Sequence, residues 1–161
     1  MYLERFKDIS QLNDYLNIIK LAVDIDFNDE VPQRLANEMK MAFNYTVSLP
    51  QDYDLTVGNW VLYALYSDNG EIIGTIAATE DGHFGRWAQV EYIAVHPDWQ
   101  HKGCGKFMLT AIRQELRRHC KFDCIILTTV SSGKFYEKCG MTFAGRVAFE
   151  GRERLFFAQK I

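Results

Sequence analysis

The chain has no apolar run long enough to cross a bilayer, no Cys-x-x-Cys pair, no excess of basic residues and no low-complexity stretch. Each absence removes a class of protein. A membrane-spanning helix needs about 20 consecutive apolar residues. Here charge interrupts the chain from Met1-Tyr2-Leu3-Glu4-Arg5-Phe6-Lys7-Asp8 onward, so neither secretion nor membrane insertion is expected. Cys104, Cys120, Cys124 and Cys139 have no companion histidines at zinc-ligand spacing. They are expected to be free thiols, with no metal bound, in a reducing cytoplasm. A net charge of -3 without a basic patch argues against a nucleic-acid surface, because neutralising phosphates requires clustered Lys and Arg. With no linker or internal repeat, residues 1–161 are expected to form a single domain, and at this length folding buries roughly two-thirds of the chain's surface.

Charge is unevenly spread. Residues 1–60 hold ten acidic residues against five basic ones (Arg5, Lys7, Lys20, Arg34, Lys40), while the remainder is slightly basic. An aromatic share of 14% favours a well-filled interior over disorder.

The order of elements carries the fold. Leu12, Leu16, Ile19 and Val23 recur at spacings of three and four, which predicts an amphipathic helix over 11–23. A second helix is expected from near Pro32, with Leu35, Met39 and Phe43 on one face. Trp60 to Tyr66 and Ile72 to Ala78 read as strands joined by Ser67-Asp68-Asn69-Gly70, where Asn-Gly would supply the positive φ angles of a tight hairpin. Ala88 to Val95 is a third strand that His96-Pro97 ends. From Gly105 to about Arg118, Met108, Leu109, Ile112 and Leu116 share one helical face and Arg113, Gln114, Arg117 and Arg118 the other. Cys124 to Thr129 then reads as a buried strand, in a strand-helix-strand order that gives parallel pairing. A short helix over Ser132 to Lys138, ended at Gly140, and two strands (Thr142 to Phe149, Leu155 to Ile161) complete a mixed α+β protein.

The chemistry concentrates after the third strand, in Gln100-His101-Lys102-Gly103-Cys104-Gly105-Lys106. Glycines let a backbone approach a diphosphate closely, and the unpaired N–H groups of a helix's first turn point at it. Lys102 and Lys106 add positive charge. Gly105-Lys106 is followed by Phe107 and lacks the earlier glycine of a P-loop, and Met108 stands where a dinucleotide fingerprint needs glycine. A plain strand-to-helix turn is the remaining alternative. One strand later comes Ser131-Ser132-Gly133-Lys134-Phe135-Tyr136-Glu137-Lys138-Cys139-Gly140-Met141.

Gln100-x-x-Gly103-x-Gly105 resembles the acetyl-CoA pyrophosphate loop of the GNAT N-acetyltransferases, and Phe135 to Met141 resembles that family's Phe-Tyr-Glu-Lys-x-Gly-Phe segment. The likeness spans about residues 60 to 145. It implies the GNAT acyl-CoA N-acyltransferase fold: a mixed, mostly antiparallel sheet of six or seven strands flanked by about four helices. It also implies acetyl-CoA as co-substrate, bound by the loop from Gln100 to Lys106, by backbone groups of Ile93, Ala94 and Val95, and by Ser132, Phe135 and Tyr136. Tyr136 inherits the role of general acid; many members carry an asparagine upstream of it, where this chain has Thr129, Ser131 and Ser132. A homodimer paired through a closing strand is a further implication.

Acyl transfer needs a neutral amine, yet an alkyl amine with a pKa of about 10.4 is almost wholly protonated at neutral pH. Glu91, a carboxylate in a largely apolar strand, is the expected base, acting directly or through a water; an ion pair with Arg86 is its structural alternative. The acceptor would be a small-molecule amine or a protein or peptide amine, drawn in by the acidic stretch Asp24 to Glu30 unless that stretch is simply a solvated helix start. His96 and His101 flank the loop without a proton-transfer role, and Cys104 is read as a bystander rather than a nucleophile. The competing functions are a non-catalytic acyl-CoA-binding or sensing module and, less fitting, an ATP-binding protein.

Overall fold

The computed structural model describes residues 1–22, 31–82, 86–119, 121–149 and 151–161. Val23, the acidic stretch 24–30, the end of the 80–85 loop and Cys120 lie outside the described residues. The described residues form one seven-stranded sheet in the order β1-β2-β3-β4-β5-β7-β6, with four α-helices packed on it. In chain order these are β1 (Tyr2–Arg5), α1 (Leu12–Ala22), α2 (Val31–Ser48), β2 (Val61–Tyr66), β3 (Ile72–Glu80) and β4 (Trp87–Val95). Then follow α3 (Cys104–Arg117), β5 (Cys124–Thr129), α4 (Gly133–Lys138), β6 (Thr142–Phe149) and β7 (Arg152–Lys160). Every neighbouring pair is antiparallel except β4 with β5, the one parallel pair that the β4-α3-β5 crossover requires. The expected mixed, mostly antiparallel sheet is thus observed.

Helices lie on both faces. One hydrophobic cluster joins α1 and α2 to the sheet through Tyr15, Ile19, Met39, Phe43, Leu62 and Ala77; the other joins α3 and α4 through Met108, Ile112, Leu116, Val90, Leu127 and Tyr136. Central strands are therefore covered twice, and β2 is buried along its whole length. α3 buries Met108, Leu109, Ile112 and Leu116 as the spacing predicts. On α1 the buried stripe is rotated. Tyr15 and Ile18 sit at its centre and Leu12 at its rim, because the Tyr15 hydroxyl reaches through the apolar layer to the Tyr63 and Ile76 carbonyls (3.0 and 3.3 Å). α2 docks by a similar device: Thr46, fully buried, donates to the Ala42 carbonyl at 2.7 Å and accepts from the Leu62 N–H at 2.9 Å.

Two local expectations change. The β2–β3 hairpin forms, but only Gly70 takes a positive φ (81°); Asn69 does not. Gly70 N–H bonds to Ser67 O and Ser67 N–H to Glu71 O, and the ladder slips by one residue beyond Leu65. A single left-handed residue with a bulge closes this loop in place of the two that a tight Asn-Gly turn needs. β1 is also unanticipated: at four residues, two of them the adjacent charges Glu4 and Arg5, it has too little apolar pattern to read as a strand, and pairing with β2 makes it one.

Candidate active site

β4 leaves its neighbour part-way along. Trp87, Ala88 and Gln89 pair with Cys124, Ile125 and Ile126; beyond them β4 stays with β3, while Leu127 to Thr129 of β5 stay with β7. A wedge opens between Val90–Val95 on one side and 127–129 on the other. At the same place β4 bulges. Ala77 pairs with Glu91 and Thr75 with Ala94, so Tyr92 and Ile93 together oppose Ile76. Tyr92 takes φ +54°, a region that costs a non-glycine residue about 1 kcal/mol or more.

The bulge decides where backbone groups point. His96 N–H bonds to the Ile73 carbonyl at 2.8 Å, and alternate residues of an antiparallel strand face opposite neighbours. The main-chain groups of Ala94 therefore face β3, whereas those of Ile93 and Val95 face the wedge. The Val95 carbonyl is already engaged by the Gln100 side chain, 3.0 Å away. Of the three residues expected to offer backbone to a ligand here, the geometry leaves Ile93 and the Val95 amide; Ala94 is not brought to the wedge.

At the end of the wedge lies the glycine loop. His96 Nδ1 accepts from the Asp98 amide (3.1 Å) and caps a short 3-10 turn over Pro97–Trp99, which accounts for that histidine. His101 (φ 60°) and Gly103 (φ 84°) are both left-handed, and the first bond of α3 runs from Phe107 N–H to Gly103 O at 3.0 Å. The amides of His101, Lys102, Gly103, Cys104, Gly105 and Lys106 form no hydrogen bond with any described residue. Such a run of amides, at the positive end of a helix dipole, has the chemistry to receive an anion. A Cβ at Gly103 would meet nothing within 4 Å, so the backbone there is open to a ligand. Gly105 serves differently: a Cβ there would lie 2.6 Å from Phe135 Cζ, so its missing side chain lets α4 close against the loop. Lys102 stands 5.5 Å over the Trp99 ring and Lys106 is exposed beside the amides. Ser132, exposed, starts α4 with its amide bonded to Thr129 Oγ1 at 3.2 Å. Cys104 turns into the core, its sulfur 3.4 Å from Met1 Sδ, away from the open side.

Tyr136 and Glu91 lie on opposite faces of the sheet. Tyr136, buried between Phe135 and Phe157 on the α3–α4 face, has its phenol pushed up to about 12 by burial, with the Cys139 thiol adding to the shift. Glu91 faces the α1–α2 side. Burial raises its carboxyl above the usual range; a 2.7 Å hydrogen bond from Gln89 and the positive charge of Arg154 oppose the shift, and Glu38 on α2 adds to it. Arg86 is not its partner, for it pairs with Asp123 at 2.7 Å. The residues missed in sequence are those around Glu91: Glu38 receives the Tyr92 hydroxyl (3.2 Å), Tyr92 meets Trp60 edge-on, and Thr75 bonds to the Tyr92 carbonyl. No spacing in sequence links α2, β3 and β7 to this point. Among the described residues no group of three or more His, Cys, Asp or Glu could hold a metal ion, and no helix is long and apolar enough to cross a membrane. A cavity of about 1050 Å³ lies at the far edge of the sheet, between β1 and α3, and shares no residue with the wedge.

The fold is thus a mixed sheet with one splayed parallel pair and a glycine loop at its mouth, and sequence comparison places it in a family. The profile of the Acetyltransferase (GNAT) family matches residues 30–141, and the chain belongs to that family. No curated protein matches it in sequence. Solved structures match along nearly the whole chain. A Desulfovibrio desulfuricans protein assigned to the GNAT family superposes with a TM-score of 0.75 at 14% identity, covering 98% of this chain and 97% of that one. An aminoglycoside 6'-N-acetyltransferase solved with coenzyme A gives 0.70 at 13%, covering 99% and 97%. A spermidine N-acetyltransferase chimera from Vibrio cholerae and hSSAT gives 0.69 at 17%, covering 97% and 92%. At these identities the likeness establishes the fold.

Proposed function

We propose that this chain is an N-acetyltransferase that moves an acetyl group from acetyl-CoA to a primary amine by direct attack in a ternary complex. The observation that carries the reading is the run of unpaired amides from His101 to Lys106 at the mouth of the β4–β5 wedge. Acetyl-CoA would supply the thioester; the chain supplies everything that orients it. The loop amides, with Lys102 and Lys106, hold the diphosphate, and Ile93 and Val95 offer main-chain groups to the extended arm along the wedge. The Val95 amide, fixed before any charge develops, polarises the acyl carbonyl. Glu91 takes the proton of the incoming ammonium, and its raised pKa brings it toward the range where a base works near neutrality. Tyr136, protonated throughout the physiological range, gives its proton or a hydrogen bond to the departing sulfur. Acid and base on opposite faces suit two substrates that meet through the wedge from opposite sides.

Glu38 and Glu91, with the acidic stretch between α1 and α2, favour a cationic acceptor, whether a small molecule or a protein or peptide amine. Relatives of the same fold named for spermidine and aminoglycosides support that choice. Neutralising Asp26 and Glu30 together should raise the amine's KM. Cys104, Cys124 and Cys139, all free, support a reducing cytoplasmic setting.

Release of free thiol from acetyl-CoA, followed across a panel of polyamines, aminoglycosides and peptide N-termini, is the test. Thiol release that depends on an amine supports the proposal. Coenzyme binding without turnover on any amine would favour a sensing module instead, and calorimetry showing no heat with coenzyme A would sink both.

A further inference from the structure

The bulge in β4 raises a question of backbone accounting. Where Tyr92 and Ile93 oppose the single residue Ile76, the ladder cannot pair every group. The Tyr92 carbonyl receives the hydroxyl of Thr75, 2.8 Å away, and Thr75 is fully buried. Thr75 otherwise pairs through its own backbone with Ala94, the residue that resumes the ladder after the bulge. One residue thus holds β4 at two points, by its side chain within the irregularity and by its backbone just after it. Tyr92 is also held where a tyrosine has no intrinsic preference to be, at φ +54°, and its ring is pinned by Trp60 and by Glu38. A conformation of this kind persists only when its surroundings over-determine it.

We propose that Thr75 is a positioning residue for the coenzyme arm: its hydroxyl locks the β4 bulge so that the main-chain groups of Ile93 and Val95 face the wedge. The inference rests on the proposed coenzyme site and adds to it a residue that touches no ligand. Without the hydroxyl, the Tyr92 carbonyl loses its buried donor and Tyr92 is free to return to negative φ, which would turn the following peptide units away from the wedge. The glycine loop lies beyond Val95, joined to it by the Gln100 side chain, and its amides make no hydrogen bond with Thr75, whose hydroxyl goes to Tyr92.

That separation supplies the experiment. Calorimetry would compare coenzyme A with its nucleotide half, 3'-phospho-ADP, which carries the diphosphate but no arm. Thr75→Val should weaken coenzyme A about tenfold, the worth of one good buried hydrogen bond, and leave 3'-phospho-ADP unchanged. Thr75→Ser, which keeps the hydroxyl, should bind both ligands as the parent does. In a Tyr92→Gly background, where glycine adopts positive φ unaided, Thr75→Val should no longer affect coenzyme A. Equal losses for the two ligands, no loss at all, or persistence of the Thr75→Val effect in the Tyr92→Gly background would each overturn the role of Thr75 while leaving the site intact. If Thr75→Val does not fold, Thr75→Cys, similar in size and a poor donor, takes its place under the same criteria. A parent protein that binds neither ligand would overturn the coenzyme site and this inference with it.

Discussion

Glu91 and Tyr136 show how burial changes the acid–base character of ordinary side chains. For both, the first cause of the raised pKa is desolvation, and the consequences differ because one must lose its charge and the other never gains it. For Glu91 the sign can be followed through stability. A carboxyl with a raised folded pKa holds its proton more tightly in the native state, so its contribution is fully present below the ordinary carboxylate pKa and is lost as pH rises through the raised value. Glu91→Gln should therefore raise Tm relative to the parent at pH 7, with the difference vanishing toward pH 4, while abolishing the acidic limb of the kcat/KM profile. Thermal denaturation across pH, beside initial rates, checks both halves. Tyr136→Phe should lower kcat about a hundredfold with coenzyme affinity kept, as expected for the loss of a general acid. Full activity in that variant would remove the assignment. Both residues could be chosen in sequence because each stands in an informative context, a carboxylate in an apolar strand and a tyrosine in a family-like segment. Their surroundings could not. Arg154 and Glu38 reach Glu91 only through folding, and Arg86, nearer in sequence, is occupied by Asp123.

Among the elements, side-chain hydroxyls do much of the joining. Thr46 ties α2 to β2 with a donor and an acceptor at a fully buried position, and Thr46→Val would leave the Leu62 amide without its partner. The expected cost is about 1–3 kcal/mol of stability, measured by denaturant titration, with coenzyme affinity unchanged because α2 lies on the other face from the glycine loop. α3 and α4 meet by the opposite principle, the absence of a side chain. Gly105→Ala would gain helix propensity but press on Phe135; in a Phe135→Ala background the same change has nothing to strike. A double-mutant cycle should show coupling of about 1 kcal/mol between the two positions. Long periodic elements such as α3 were legible in the sequence because their stripe repeats over several turns. β1 was not, and the centre of the α1 stripe was displaced by Tyr15, whose polar tip found carbonyls across the apolar layer.

For the molecule as a whole, the mixed sheet with helices on both faces has a seam where the parallel β4–β5 pair of the described residues comes apart. A ligand seated there touches loop, sheet and α4 at once, and should stabilise the entire fold. Coenzyme A at a hundredfold its Kd should raise Tm by roughly 5–10 °C, whereas ATP at the same concentration should not, since the loop lacks the P-loop pattern. Scanning fluorimetry with both ligands decides it.

What could be read along the chain was whatever rests on neighbouring residues: hydrophobic period, the positions of turns, the glycine loop, and the strand-helix-strand order that fixes the parallel pair. Those signals are local because helices and loop amides satisfy their backbone, or leave it bare, within a few residues. Tertiary structure alone decided where β4 parts from β5, which of Ile93, Ala94 and Val95 turns its amide to the wedge, and which charges surround Glu91. Each depends on a strand register, and register is settled between residues far apart in the chain.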